Sequence, residues 1–518
     1  MSHPTKGAIA AGHEKTAAAG KAMLDLGGNA FDAVIASVMA AFVVESALTS
    51  LGGGGFLLAH TAQQQNFLYD FFCQTPKGKK PLSAINFYPI DVDFGGQLQE
   101  FHIGLGSIAV PGNVAGVFLA HEQLGRLPLK EVVAPAIDYA RNGFVVSHYQ
   151  AYCLKLLAPI LLALPESRKI YAPQGKILAA GDICYMRDFA DTLAYLAEKG
   201  AKEFYQGEIA QQIVRDCQTQ GGYLTYEDLA SYRVEIRQPL ATNYRGYQLL
   251  TNPPPSSGGI LIAFALELLS SVDLSAIGFA SKEHLELLAQ VMSLTNTARA
   301  KDYDAFIYQP NIAEKLLNSD YLANYRDTLH QNIRKWGSTT HISVMDAEGN
   351  AASITTSNGE GSSYIVPGTG IMLNNMLGEA DLNPLGFHNW QCDRRLSSMM
   401  SPTIILKNNQ PFIVLGSGGS NRIRTAILQV ISNIIDFHQS LQEAIANPRV
   451  HWEDGIFSIE PLPKPAVAKQ LLLTDSTKLV LWNEKNMFFG GVNAVQRITK
   501  EQIVGAGDPR RGGVAIWS

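Results

Sequence analysis

Positive charge is scarce in this chain. Its 41 Lys and Arg residues are outnumbered by 46 Asp and Glu, a formal net charge of −5 at neutral pH. Nucleic-acid binders carry a basic footprint, so that class is set aside. Charged residues make up only 17%, against roughly 25% in an average soluble protein. Cysteine is sparse and scattered: Cys73, Cys153, Cys184, Cys217 and Cys392 are odd in number and contain no CxxC. That pattern reads as reduced structural thiols, with neither a disulfide framework nor a metal site. No apolar run approaches the roughly 20 residues of a membrane span. The longest, Ala33 to Val44, is broken by Ser37 and reads as a buried helix, with Asn29 as N-cap and Asp32 in its first turn. Met1-Ser-His-Pro-Thr-Lys-Gly7 lacks the basic, apolar and cleavage regions of a signal peptide, so a soluble, cytoplasmic protein is expected. Walker, strand-linked GxGxxG, HExxH and GxSxG patterns are missing, and the histidines do not fall at metal-ligand spacing. Neither a metal nor a cofactor is expected.

Apolar residues make up 46% of the 518, enough for a large core. Up to about residue 330 the chain reads mainly as helices: Thr16–Leu26, Val114–Leu124, Leu129–Arg141, Ala179–Gly200, Glu208–Gln218, Ile260–Ser270 and Lys282–Asp302. Phe56–His60 and Phe67–Phe72 read as a hairpin. Near residue 336 the character changes. Thr339-Thr-His-Ile-Ser-Val-Met345, a polar turn and Ala351-Ala-Ser-Ile-Thr-Thr-Ser357 form a β-branched hairpin. A second runs from Thr403–Leu406 to Phe412–Leu415. The helix Arg422–His438 follows, with Ile423, Ile427, Ile431, Ile434 and Ile435 on one face. Strands flanked by packed helices imply a layered sandwich.

Gly416-Ser-Gly-Gly-Ser420 joins a strand to a helix N-terminus, where backbone N–H groups converge and the dipole favours negative charge. It suits an oxyanion or carboxylate site, or the close packing of a tight turn. Gly52-Gly-Gly-Gly55 reads as a turn. Thr339-Thr340-His341 alone reads as ordinary strand residues, with His341 satisfied in the sheet.

Several blocks together resemble the γ-glutamyltranspeptidase family, whose members are N-terminal-nucleophile hydrolases. They are Lys6-Gly7-Ala-Ile-Ala, Gly27-Gly-Asn-Ala-Phe-Asp-Ala33, Leu51-Gly-Gly-Gly-Gly-Phe56, Val110-Pro-Gly-Asn-Val-Ala-Gly116, Gly337-Ser-Thr-Thr-His-Ile-Ser343, Leu373-Asn-Asn375, Leu396-Ser-Ser-Met399 and Gly505-Ala-Gly-Asp-Pro-Arg510. The resemblance implies an α+β fold, an αββα sandwich. It implies autocleavage between Ser338 and Thr339 into segments 1–338 and 339–518, which stay together as one unit. A threonine hydroxyl needs an adjacent base, and cleavage supplies one as the freed α-amino group of Thr339. The implied activity is γ-glutamyl transfer and glutathione hydrolysis through an acyl-enzyme. The partners would be a small γ-glutamyl substrate, an acceptor amino acid or peptide, and water, with no nucleic acid and no membrane.

Site roles carry over by position. Ser357 assists Thr339. Gly418 and Gly419, or counted without a gap Gly419 and Ser420, hold the oxyanion. Glu379 grips the substrate α-amino group, and Ser397 with Ser398 the α-carboxylate. Glu360 is either a further site residue or a solvated loop carboxylate. Phe72 stands where many members have an Arg, and Arg394 or Arg395 is expected to supply that charge. Gly359 and Met376 replace an Asn and a Gln, and the segment from Glu379 to Leu396 is short, implying a more open pocket. Two other readings are kept: an acylase for another acyl group or poly-γ-glutamate, and an unprocessed ligand-binding relative.

Overall fold

The computed structural model describes residues 5–93, 98–326, 339–383, 385–473 and 477–518. Strands in the middle of this molecule are apolar or small on both sides, because each sheet meets helices on one face and the other sheet on the opposite face. Along Thr340–Asp346, for example, every residue is buried. Ile342 and Val344 enter one core while Met345 enters the other.

In chain order the strands of the two main sheets are β1 (Gly7–Ala11), β2 (Gly54–His60), β3 (Asn66–Phe71), β4 (Glu235–Arg237), β5 (Leu240–Tyr244), β6 (Tyr247–Thr251), β7 (Thr340–Asp346), β8 (Ala351–Ser357), β9 (Thr403–Lys407), β10 (Gln410–Gly418), β11 (Gly491–Arg497), β12 (Ile503–Ala506) and β13 (Val514–Trp517). The first sheet runs β13-β1-β7-β8-β2-β3-β4 and the second β12-β11-β10-β9-β6-β5. Neighbours in both sheets are antiparallel, with Thr340 opposite Thr356 and Ile342 opposite Ile354 in the β7–β8 pair. The flanking helices that bear on the site are α1 (Glu14–Asp25), α2 (Ala30–Val44), α3 (Ser257–Ser270), α4 (Lys282–Ala298) and α5 (Arg422–Ile435). α1 and α2 cover the first sheet, and α3 and α5 the second. This is the αββα sandwich.

Local signals explain several elements. Asn29 Oδ1 accepts from the N–H groups of Phe31 and Asp32 at 2.9 and 3.0 Å, and Asp32 Oδ2 accepts from Asn29 N–H, closing a capping box on α2. The helix expected over Ala179–Gly200 begins only at Arg187. Before it, a turn at Gly181, with φ of +92°, leads into Ile183–Cys184, which pairs with Phe144–Val145. The helix expected over Lys282–Asp302 is α-helical through Ala298 and continues as a π-helical turn, Arg299–Tyr303. No helix among the described residues is long and apolar enough to cross a membrane.

The Gly505–Arg510 block serves the fold. Asp508 Oδ2 accepts from Val492 N–H at 2.9 Å and lies 2.6 Å from Arg449 Nη2, while its Oδ1 takes Arg510 Nη1 at 3.2 Å. Arg510 also grips buried Glu460, with Nε to Oε1 at 2.8 Å. The next residue, Arg511, packs on Gly491 and against the Gly418–Gly419 turn, so this network braces the glycine turn from behind. Removing one partner of such a network strands buried charge. Asp508→Asn is expected to lower unfolding stability by about 3–5 kcal/mol in urea titrations; a loss below about 1 kcal/mol would show the network to be dispensable.

Candidate active site

Thr339 is the residue before β7, and it is buried, with 6% of its surface exposed. Ser357 ends β8 beside it, and its Oγ accepts from Gly359 N–H at 2.9 Å. The second sheet comes in from the other side. A Cβ on Gly418 would lie 2.1 Å from the carbonyl oxygen of Thr339, so only glycine lets β10 approach the nucleophile's backbone. Gly418 is thus in direct contact with Thr339, and Ser420 lines the adjoining cavity. Gly419 and Ser420 take φ of +121° and +48° as the chain turns into α5.

His341 is neutral. Burial pushes its imidazole down to about 3, and its two ring nitrogens are within 2.8 Å of Thr355 Oγ1 and Ser343 Oγ. Behind the nucleophile, Glu45 accepts from Thr340 Oγ1 at 2.5 Å and from Thr16 Oγ1 at 2.7 Å. Burial raises its carboxyl despite those donors.

The cavity in front of Thr339 spans about 490 Å³, counting the space open to solvent at its mouth. It brings together Thr339, Ser357, Glu379, Ser397, Ser398 and Ser420 from the sequence-derived set. The serine pair is held by the start of α3: Ser257 and Gly258 N–H groups donate to Ser398 O at 2.8 and 3.2 Å, and Ser257 Oγ lies 2.8 Å from Ser397 Oγ. Glu379 is raised well above the ordinary carboxyl range by burial, and then by Glu360 and Asp381 beside it. Asp381, which sequence reasoning missed, lies two residues further on in the same wall. Its Oδ2 accepts from Ser420 Oγ, and its buried Oδ1 accepts no hydrogen bond among the described residues. Burial pushes its carboxyl up to about 6.

Three expectations need correction. Glu360 is not a solvated loop residue: it is 1% exposed and does not line the cavity, and its backbone N–H donates to Glu379 Oε1 at 3.0 Å. Arg395 is committed elsewhere, with Nη1 donating to Phe72 O and Tyr232 Oη at 2.6 Å each, Nη2 to Arg233 O at 2.7 Å, and Nε 3.4 Å from Asp70. Arg394 is exposed and lies over the Tyr308 ring. Neither lines the cavity. Phe72 does, stacked on Phe56 with centroids 5.4 Å apart. The cavity's cation is Arg299, at the far end of α4. Amphipathic periodicity placed that helix but could not show that the residue after its last turn lines the same cavity as Thr339.

A threonine heading a central strand, in the cleft between two antiparallel sheets covered by helices, defines an N-terminal-nucleophile hydrolase. Residues 16–518 match the gamma-glutamyltranspeptidase family. The chain belongs to that family. It is 32% identical to an acylase ACY 1 proenzyme from Pseudomonas sp. strain SE83, covering 99% of this chain and 93% of the relative. It is also 32% identical to the glutathione hydrolase proenzyme of Escherichia coli K12, over 98% and 91% of the two chains. The solved cephalosporin acylase of Bacillus halodurans superposes with a TM-score of 0.87 at 26% identity, over 99% and 96%.

Asp381 titrates within the working range, which gives two opposed pH effects. Its ionised form attracts a cationic ligand, so the KM of an ammonium-bearing substrate should fall as the pH rises through about 6. The folded carboxyl sits above its unfolded value of 3.8, so its contribution to stability is complete below that value and lost as the pH rises through about 6. Asp381→Asn should therefore raise Tm at pH 7 while flattening the KM–pH profile; an unchanged profile would remove Asp381 from the binding site.

Proposed function

We propose that the protein is a γ-glutamyltransferase and glutathione hydrolase that matures by cutting itself before Thr339. Family membership supports the activity class, and the single observation favouring a γ-glutamyl acyl group is the acidic wall. Glu379 and Asp381 face the same cavity as Thr339, and Asp381 Oδ1 is buried without a hydrogen-bond donor among the described residues. Buried carboxyls are costly unless a cation joins them. The α-ammonium of a γ-glutamyl group supplies that cation.

The proposed cut separates residues 1–338 from 339–518, leaving segments of 338 and 518 − 338 = 180 residues. Ser338, the residue before the scissile bond, lies outside the described residues. Once freed, the Thr339 α-amino group takes the hydroxyl proton as Oγ1 attacks the γ-carbonyl, with Ser357 beside it. The tetrahedral oxyanion is held by the N–H groups of Gly419 and Ser420 at the head of α5. Collapse forms a Thr339 ester and expels the amine, which leaves with the proton. Water or an acceptor amino group then attacks the ester, and the α-amino group takes its proton and passes it to Oγ1 as the ester C–O bond breaks. The glutamate or transferred γ-glutamyl product leaves with the Thr339 hydroxyl regenerated. The substrates are small molecules, and the two segments act together.

A second reading, an acylase for another acyl group, is favoured by Phe72, Gly359 and Met376, which give this cavity apolar or small groups, and by similarity to the acylase proenzyme.

Intact mass under denaturing conditions should show two species, the smaller beginning at Thr339, and Thr339→Ala should remain a single chain. An uncut wild-type protein would favour the ligand-binding relative. On processed enzyme, γ-glutamyl anilide should exceed glutaryl anilide in kcat/KM by on the order of 10- to 100-fold, the weight of one charge-assisted contact. The reverse order would assign the protein to the acylase reading.

A further inference from the structure

The geometry points to Arg299 as the specificity residue that holds the substrate's α-carboxylate, an inference that rests on the γ-glutamyl reading. Arg299 is the one cationic side chain lining the nucleophile cavity among the described residues. It occupies the first position of the π-helical turn Arg299–Tyr303 that ends α4. Such turns are frequent at functional sites, because the extra residue re-aims a side chain.

The guanidinium is fixed along part of its fork. Nε contacts both carboxylate oxygens of Asp304 at 3.1 Å, and Nη1 donates to Asn421 Oδ1 at 3.1 Å. A guanidinium presents five donors in one plane, so these contacts orient the group and leave Nη2 for an occupant of the cavity. Asp304 pairs with the guanidinium through Nε. Burial disfavours the charged form, but Asp304, Asp381 and Glu453 outweigh it, and the group is held above its ordinary value.

The lining thus carries both chemistries. The carboxyls of Glu379 and Asp381 suit an ammonium group, and Arg299, which Asp381 also influences, suits a carboxylate together with the hydroxyls of Ser257 and Ser397. A carbon atom bearing both groups, the α-carbon of a free glutamyl end, matches that pairing. Phe72 offers no charge there, and Arg395 is consumed by Asp70 and backbone carbonyls. The discriminating charge therefore comes from the long helix of the 1–338 segment.

The test compares γ-glutamyl anilide with 4-aminobutyryl anilide, which keeps the ammonium but lacks the α-carboxylate. Wild-type enzyme should prefer the γ-glutamyl compound in kcat/KM by on the order of 10- to 100-fold, expressed mainly in KM. Arg299→Met should collapse the preference, and Arg299→Lys, which keeps the charge but loses the fork, should restore part of it. Self-cleavage reports that each variant folds. If Arg299→Met leaves Asp304 unpaired and the protein uncut, the Arg299→Met/Asp304→Asn double variant removes both charges and should show the same collapse. A preference retained in the variant that folds overturns the inference. Equal turnover of both anilides by wild type overturns it while sparing Thr339 chemistry, and turnover of neither brings down the γ-glutamyl reading as well.

Discussion

The contact between Gly418 and the Thr339 carbonyl organises the site. Two antiparallel sheets meet there at a separation that no side chain would tolerate. That approach sets the strand-to-helix turn at Ser420 on the rim of the nucleophile cavity, and it explains why glycine recurs along the end of β10. Gly416 makes the same close approach to the His341 ring. The glycine run thus serves packing first. The positive φ of the next two residues follows, because the chain must turn into α5 immediately after the sheets have touched.

Around that contact the molecule accepts buried charge that a purely structural core would avoid. Glu45 sits behind Thr340, and Glu379, Asp381 and Arg299 sit in front of Thr339. Raised carboxyls oppose folding at neutral pH, and their compensation comes from elsewhere: the Arg449–Asp508–Arg510–Glu460 network, the capped and fully buried α2, and the two apolar cores flanking the first sheet. The division matches the common pattern in which a functional site carries strain that the scaffold absorbs.

Local chemistry made much of this legible from residue order. The Asn29 cap of α2, the Thr339–Ser357 hairpin and the isoleucine face of α5 rest on contacts between residues close in sequence, and each occurs as expected. The short strands at one end of the first sheet's order were harder to see. β1 and β13 are brief, and they are strands because partners distant in the chain complete their ladders. The turn at Gly181 shortened an expected helix for the same reason: pairing with Phe144–Val145 outweighed helical periodicity.

Residue order by itself determined the sandwich class, the family and Thr339 as the threonine heading a central strand, since those depend on motifs and periodicities within short windows. Tertiary structure alone decided which charges face that threonine. Arg395 and Arg394 are nearest in sequence to Ser397, yet Asp70 and Tyr232 claim the first and the surface claims the second. Arg299, distant along the chain, reaches the cavity because α4 ends in a π turn beside Asn421. The reason is physical: a charge acts across a few ångströms of low-dielectric space, and which groups share that space is settled by how the layers pack.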